Sequence, residues 1–261
     1  MIHRWSVLRE ANHRRAVVGR SEALACAVRV STAEKALSLD STLAEAHASK
    51  GVALCQTGHY VEALAAHQES LRLDPESYDV QRAFGLTYMY AGQQEEAIQH
   101  LEHAAQLLPA DYFCQSMACQ CYQDLARHDE AKVAARRSLV RIENEIALRP
   151  DNTQALSLGA NDLILLGENE RAKEWISRVI TIETEDANDY YNLACALAQM
   201  NEPGDALDLL ERHIRMTPPE RIIWIKRDAD LEPLRREPRY QALITQGEKR
   251  LAARAHQTVN N

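Results

Sequence analysis

The sequence has no long run of lysine and arginine, no apolar stretch of membrane-spanning length, no dense cysteine framework and no segment of alternating strand pattern. Each absence removes a class of function. Lys and Arg total 30 against 38 Asp and Glu, a formal charge of −8, which argues against a sequence-independent grip on phosphate backbones and against nucleic acid as the main ligand. A membrane helix needs about 20 predominantly apolar residues, and no stretch approaches that. Six cysteines (Cys26, Cys55, Cys114, Cys119, Cys121 and Cys195) spread over 261 residues are unlike the framework of a small secreted domain. They read as reduced thiols, and a cytoplasmic location is expected. The opening stretch MIHRWSVLREANHRRAVVGR carries five arginines and no apolar core of signal-peptide length. A first helix with a solvated face is expected there, with an amphipathic targeting segment as the alternative.

What is present is a repeat. Gly51 and Gly85, Gly58 and Gly92, Ala63 and Ala97, and Pro75 and Pro109 are each separated by 34 residues. Within a unit the apolar residues recur at three and four, so each unit reads as two amphipathic helices joined by a tight turn. Glycine at 58, 92 and 167 suits the left-handed conformation that closes a helix, and proline at 75, 109, 150 and 218 stops the next one. Small residues at 51, 63, 85, 97, 160, 172, 194 and 206 let paired helices approach closely. The composition, 46% hydrophobic and 26% charged, supplies ample core for such an array.

With these glycines, alanines and prolines the chain resembles the tetratricopeptide repeat (TPR) proteins. The resemblance implies an all-α, right-handed α-solenoid of about five to six helix-turn-helix repeats with a C-terminal capping helix. Complete units are expected at 44–77, 78–111, 153–186 and 187–220, and residues 112–152 form a unit whose second helix is longer. Residues 1–43 read as a degenerate N-terminal repeat or cap, because LSLDS at 37–41 aligns with LRLDP 34 residues later, although Val17 replaces its glycine. In the 112–152 unit, Ala131 to Pro150 spans 19 residues where Ala63 to Pro75 spans 12. The extra heptad adds roughly 10 Å and returns the apolar stripe to nearly the same face. It is either a protruding edge that meets another domain or a tolerated insertion.

The tail, residues 221–261, changes character. Asp230 is expected to cap a short helix and Pro238 to open another, on which Tyr240, Leu243, Ile244 and Leu251 make an apolar stripe. Together with DNTQALSLGANDLILLGENERAKEWI and YYNLACALA, this tail resembles the repeat regions that follow bacterial class III adenylate or guanylate cyclase domains and those of some bacterial transcriptional regulators. That resemblance implies a place in bacterial signalling without placing a cyclase in this chain.

No chemistry converges in the sequence. Cys114, Cys119 and Cys121 spread around one helix, no second cysteine pair answers them, and no metal ligand is assigned. Cys119 reads as a small buried thiol, His100 and His103 as solvated histidines, and Asp228 and Asp230 as helix-capping carboxylates. No glycine loop cradles a phosphate, so no catalytic residue and no cofactor is expected. Binding is the remaining use. First helices of successive units line a concave face, and residues four apart on them form stripes. Arg82, Tyr90, Gln120, Asp124, Asn161 and Tyr191 are the candidate residues for a protein or peptide partner. Ala48, Val52 and Leu86 stand where the chaperone-tail receptors of this family carry a carboxylate clamp, so that clamp is absent. The leading reading is a noncatalytic interaction module or scaffold. The alternatives are a regulatory segment of a signalling enzyme or transcription regulator whose effector is not in this chain, and an unrecognised enzyme.

Overall fold

The computed structural model describes residues 25–259 apart from Glu183. The arginine-rich start and Val17 lie outside the described residues. Among the described residues every regular element is helical. Helix α1 covers 25–39. Five helix pairs follow: α2 (Ala44–Gln56) with α3 (Tyr60–Leu73), α4 (Tyr78–Ala91) with α5 (Gln94–Leu107), and α6 (Phe113–Asp124) with α7 (His128–Leu148). The last two pairs are α8 (Thr153–Leu165) with α9 (Asn169–Ile182) and α10 (Ala187–Gln199) with α11 (Pro203–Met216). A short helix α12 (Arg221–Ile225), a 3-10 turn (Ala229–Leu234) and a long α13 (Pro238–Val259) end the chain. This is the all-α solenoid that the repeat spacing predicts.

The small residues sit where helices meet. Ala63, Ala97, Ala160, Ala172, Ala194 and Ala206 are fully buried. At Gly51 and Gly85 a β-carbon would fall 2.5 Å from the His67 ring and 2.7 Å from the Leu101 side chain, so those helix pairs close only on glycine. The turn between paired helices needs a left-handed residue. Gly58, Gly92 and Gly167 supply it at φ +81, +81 and +82°, and in the third and fifth pairs Ala126 (φ 56°) and Asn201 (φ 61°) take the same place.

Helix α7 has 21 residues where α3, α5, α9 and α11 have 14. Its inward stripe continues through the extra heptad, from Ala135 and Leu139 to Ile142, which is fully buried, and Ile146. Val140 and Leu148 on the same helix are 60% and 81% exposed. Cys119 is buried, as its place in the repeat implies, and its thiol donates to the Ala131 carbonyl. His100 departs from the expected solvated histidine: it lies half-buried, with Nδ1 2.8 Å from Gln81 Oε1 and its ring stacked on Tyr88.

Between the fourth and fifth pairs α10 rests on α8 across a polar seam. Ser157 and Thr184 both donate to the buried Asp189 carboxylate, at 2.9 and 2.7 Å, and Asn161 donates to the Asn192 carbonyl at 2.9 Å. Each oxygen of the buried Asp189 carboxylate thus has a donor. The tail then turns back, and this places the candidate site.

Candidate functional site

The inner face of α4, α6 and α10 is covered by the chain's own segment 221–236. Helix α12 and the 3-10 turn present two unlike sides. On one side Ile222, Ile225, Leu231 and Leu234 are buried against α10, α11 and α13, with the Tyr240 hydroxyl donating to the Ile225 carbonyl at 3.3 Å. On the other side polar and ring side chains point across the groove. Asp228 opens the 3-10 turn by accepting the Asp230 amide at 2.9 Å. It is therefore Asp228 and not Asp230 that caps this element, a correction to the capping expected from the sequence.

Four of the six candidate residues meet this segment. Gln120 Nε2 donates to Asp228 Oδ2 at 3.1 Å, and the Tyr191 hydroxyl donates to the same oxygen. Tyr90 packs edge-on to Trp224, with centroids 5.8 Å apart, while the Arg221 guanidinium lies 4.9 Å over the Tyr90 ring. Asp124 accepts from Gln94 Nε2 at 2.6 Å and from the Ala229 amide. The other two candidates have other partners. Arg82 stacks 4.4 Å over the Phe113 ring, and Asn161 is held by the Ser157 and Asn192 carbonyls.

Residues that the sequence reading passed over complete the arrangement. Gln123 donates to Asp230 at 3.3 Å, Trp224 packs on Tyr191 at 4.5 Å, and Arg227 extends to the turn at Gly92. The signal for Trp224 and Arg227 was the tail's alternation of large apolar residues with charge in RIIWIKRDAD, which a capping helix also explains. The two sides of the segment differ in strength. Each buried aliphatic side chain contributes about 1.5–3 kcal/mol, whereas each hydrogen bond across the groove contributes about 0.5–1.5 kcal/mol.

Beneath the segment lies a cavity of about 30 Å³ lined by Asn161, Asp162, Tyr191, Cys195 and Asp230, among others. It has room for about two waters, and the Asn161 Oδ1 is buried without a protein partner. The carboxylates around it are hard to ionise. Burial raises Asp162 to about 7, opposed by the Ser138 and Ser116 hydroxyls and the Cys119 thiol beside it. Burial, with the charge of Asp228 as a smaller cause, raises Asp124 to about 7. Asp230 is raised by burial and by both Asp228 and Asp124, and Asp228 by burial, opposed by the donors Tyr191 and Gln120. The thiols of Cys119 and Cys195 are pushed up by burial as well.

Cys195, Asp228 and Asp230 place one ligand atom each within 4.8 Å of one another. Burial makes the thiol and both carboxyls harder to deprotonate, as a cation would require, and Asp228 already accepts three hydrogen bonds. This is a weak donor set for a metal.

No family model and no curated protein matches the sequence. Solved structures do. TTC0263, a thermophilic TPR protein of Thermus thermophilus, is 17% identical, with a TM-score of 0.54 over 72% of this chain and 98% of that one. PilF of Pseudomonas aeruginosa is 18% identical, with a TM-score of 0.52 over 91% of this chain and 98% of that one. Cut9–Hcn1, an APC/C hetero-tetramer, is 15% identical, with a TM-score of 0.52 over 85% of this chain and 40% of that one. The repeat spacing, the helix pairs and these likenesses agree: the chain has the α-solenoid fold of the tetratricopeptide repeat proteins.

Proposed function

We propose that the chain is a noncatalytic protein-interaction module whose inner face receives a segment of another polypeptide. The observation that carries this reading is the segment already lying there. Tyr90, Gln120, Asp124 and Tyr191 hold residues 221–236 through ring packing and hydrogen bonds, so the face has the chemistry to grip a peptide. The cavity beneath is far below the roughly 300 Å³ at which small-molecule pockets begin. Burial pushes its thiols up, which suits no nucleophile. A protein or peptide is the partner class, since the net charge of −8 disfavours nucleic acid.

A partner captured from native cells and titrated against the purified chain tests this. Arg82→Glu combined with Tyr90→Ala should weaken binding by roughly 2 kcal/mol or more, about thirtyfold, while the protein stays folded. Unaltered affinity would move the site elsewhere, first to α7 between Ala131 and Leu148. A regulatory segment of a signalling enzyme or transcription regulator would use the same face, with its effector domain as the partner. The covered inner face, a closed resting state, is the observation that favours this second reading.

A further inference from the structure

The segment 221–236 divides the molecule at its own two sides. Toward α10, α11 and α13 it is tied by aliphatic burial: Ile225 and Leu231 are wholly enclosed, and Ile222 packs on Gly247. Toward α4 and α6 it is tied by Gln120 and Gln123, by the Ala229 amide on Asp124, and by Trp224 and Arg221 on Tyr90. Water can replace the hydrogen bonds of the second set and nothing in water replaces the first. The weaker plane therefore runs between the segment and the first three helix pairs.

Like charges face each other across that plane. Asp124 belongs to α6, and Asp228 and Asp230 belong to the segment, while Asp162 of α8 lines the cavity together with Asp230. The charge of one neighbouring cation, Arg235, opposes the rise of Asp228. Arg235 gives its guanidinium to Glu232 and to the Asp228 carbonyl, Arg221 lies over Tyr90 and Trp224 near Cys55 and Tyr60, and Arg227 reaches Gly92. Tyr191, Cys195 and Cys119 complete the surroundings as neutral groups, and His213 faces the Tyr191 ring. Asp228 is buried, Asp124 and Asp230 are half-buried, and Asp228 and Asp230 bring carboxylate oxygens within 4.8 Å of each other, an arrangement that favours proton uptake or separation.

We propose that residues 221–236 form a proton-dependent latch. When Asp124, Asp228 and Asp230 hold protons, the segment bridges the groove. When they lose them, the segment stays with α10, α11 and α13 and parts from α4 and α6, baring Tyr90, Gln120 and Gln123. This equilibrium belongs to the chain alone and stands whether or not a partner uses the face.

The sign follows from linkage. Closing takes up protons, so the closed form weakens as pH rises from the free carboxylate value of 3.8 through about 7, the value for Asp124. For that one group, the closing equilibrium falls about tenfold between pH 6.0 and 8.5. His213 lies outside this range, because its burial keeps it neutral down to about 4.

Hydrogen exchange on the full chain tests the latch. Amides of residues 221–236 and of α6, corrected for the intrinsic rate, should lose about tenfold protection from pH 6.0 to 8.5 while α9 keeps its own. In Asp124→Asn, and in Asp230→Asn should the first variant not fold, the loss should shrink or vanish. Protection that is unchanged with pH in the native chain, an equal loss in α9, or the full loss persisting in the asparagine variants would each overturn the proposal.

Discussion

Gln120 and Asp228 stand 108 residues apart in sequence and are joined by a hydrogen bond of 3.1 Å. The bond brings the end of the chain to the middle of the array, so the inner face of the solenoid is part of its folded interior. Side chains chosen there as anchors for a partner therefore carry stability too. Tyr191 is the extreme case, because removing its hydroxyl leaves the buried Asp228 short of a donor.

Trp224→Ala removes the ring that packs on Tyr90 and Tyr191, and it should cost about 2–3 kcal/mol. Ile223, beside it on α12, is 41% exposed, and Ile223→Ala should stay within about 0.5 kcal/mol of the parent. Urea unfolding of the two variants measures the contrast. Equal, small effects would mean that the segment is not docked in solution.

His67 is fully enclosed and neither ring nitrogen has a partner. It fills against Gly51 the place that Leu101 fills against Gly85. His67→Leu should therefore raise stability by about 1 kcal/mol at pH 7, since it removes a desolvated polar ring and keeps its bulk. Burial lowers the His67 pKa from 6.5 to about 4. The unfolded chain then binds the proton first, so the contribution of this site is intact above 6.5 and is lost as pH falls toward 4. Parallel melts from pH 7 to pH 5 should show the leucine variant gaining a further margin of about 2 kcal/mol over the parent. Curves that run parallel would show that His67 is solvated.

The helix pairs were legible because each unit repeats its own local chemistry: a small residue at the crossing, a left-handed turn residue and a proline stop. Where a unit uses other means to the same end, as Ala126 and Asn201 do at φ 56 and 61°, the turn was legible from spacing and not from residue type. Helical periodicity put Tyr90, Gln120, Asp124 and Tyr191 on the inner face, while Arg82 and Asn161, expected on the same row, have other partners. What lies on them was not. Trp224 and Asp228 meet partners as far as 108 residues away, in a segment outside the repeat, where no period carries information. The raised carboxylates Asp124 and Asp162 depend on that covering and were illegible for the same reason.

Ala126 occupies a left-handed turn at φ 56°, a conformation that costs a residue with a β-carbon roughly 1–2 kcal/mol. Glycine removes that cost but enters the unfolded state with more freedom to lose. Ala126→Gly should therefore gain about 0.5–1 kcal/mol, read as a shift of the urea midpoint at constant slope. A loss of stability would mean that the Ala126 side chain contributes packing that outweighs its backbone strain.

Gly159 argues the opposite case and escaped the repeat pattern, which points to its neighbour Ala160. A β-carbon at 159 would sit 2.2 Å from the Trp175 ring and 3.0 Å from Ile142 of α7. Glycine inside a helix ordinarily costs about 0.5–1 kcal/mol relative to alanine, so a gain from Gly159→Ala is the expectation from helix propensity alone. Overpacking against an indole buried to 4% exposure costs about 1–3 kcal/mol or more, because the ring has no space into which to turn. The second effect is the larger, and Gly159→Ala should destabilise the chain by about 2 kcal/mol. Gly204 is the control: its β-carbon would meet nothing within 4 Å, and Gly204→Ala should be neutral or gain up to about 1 kcal/mol. If thermal melts rank both variants above the parent, α8 and α9 are not packed on Trp175 as closely as this contact requires.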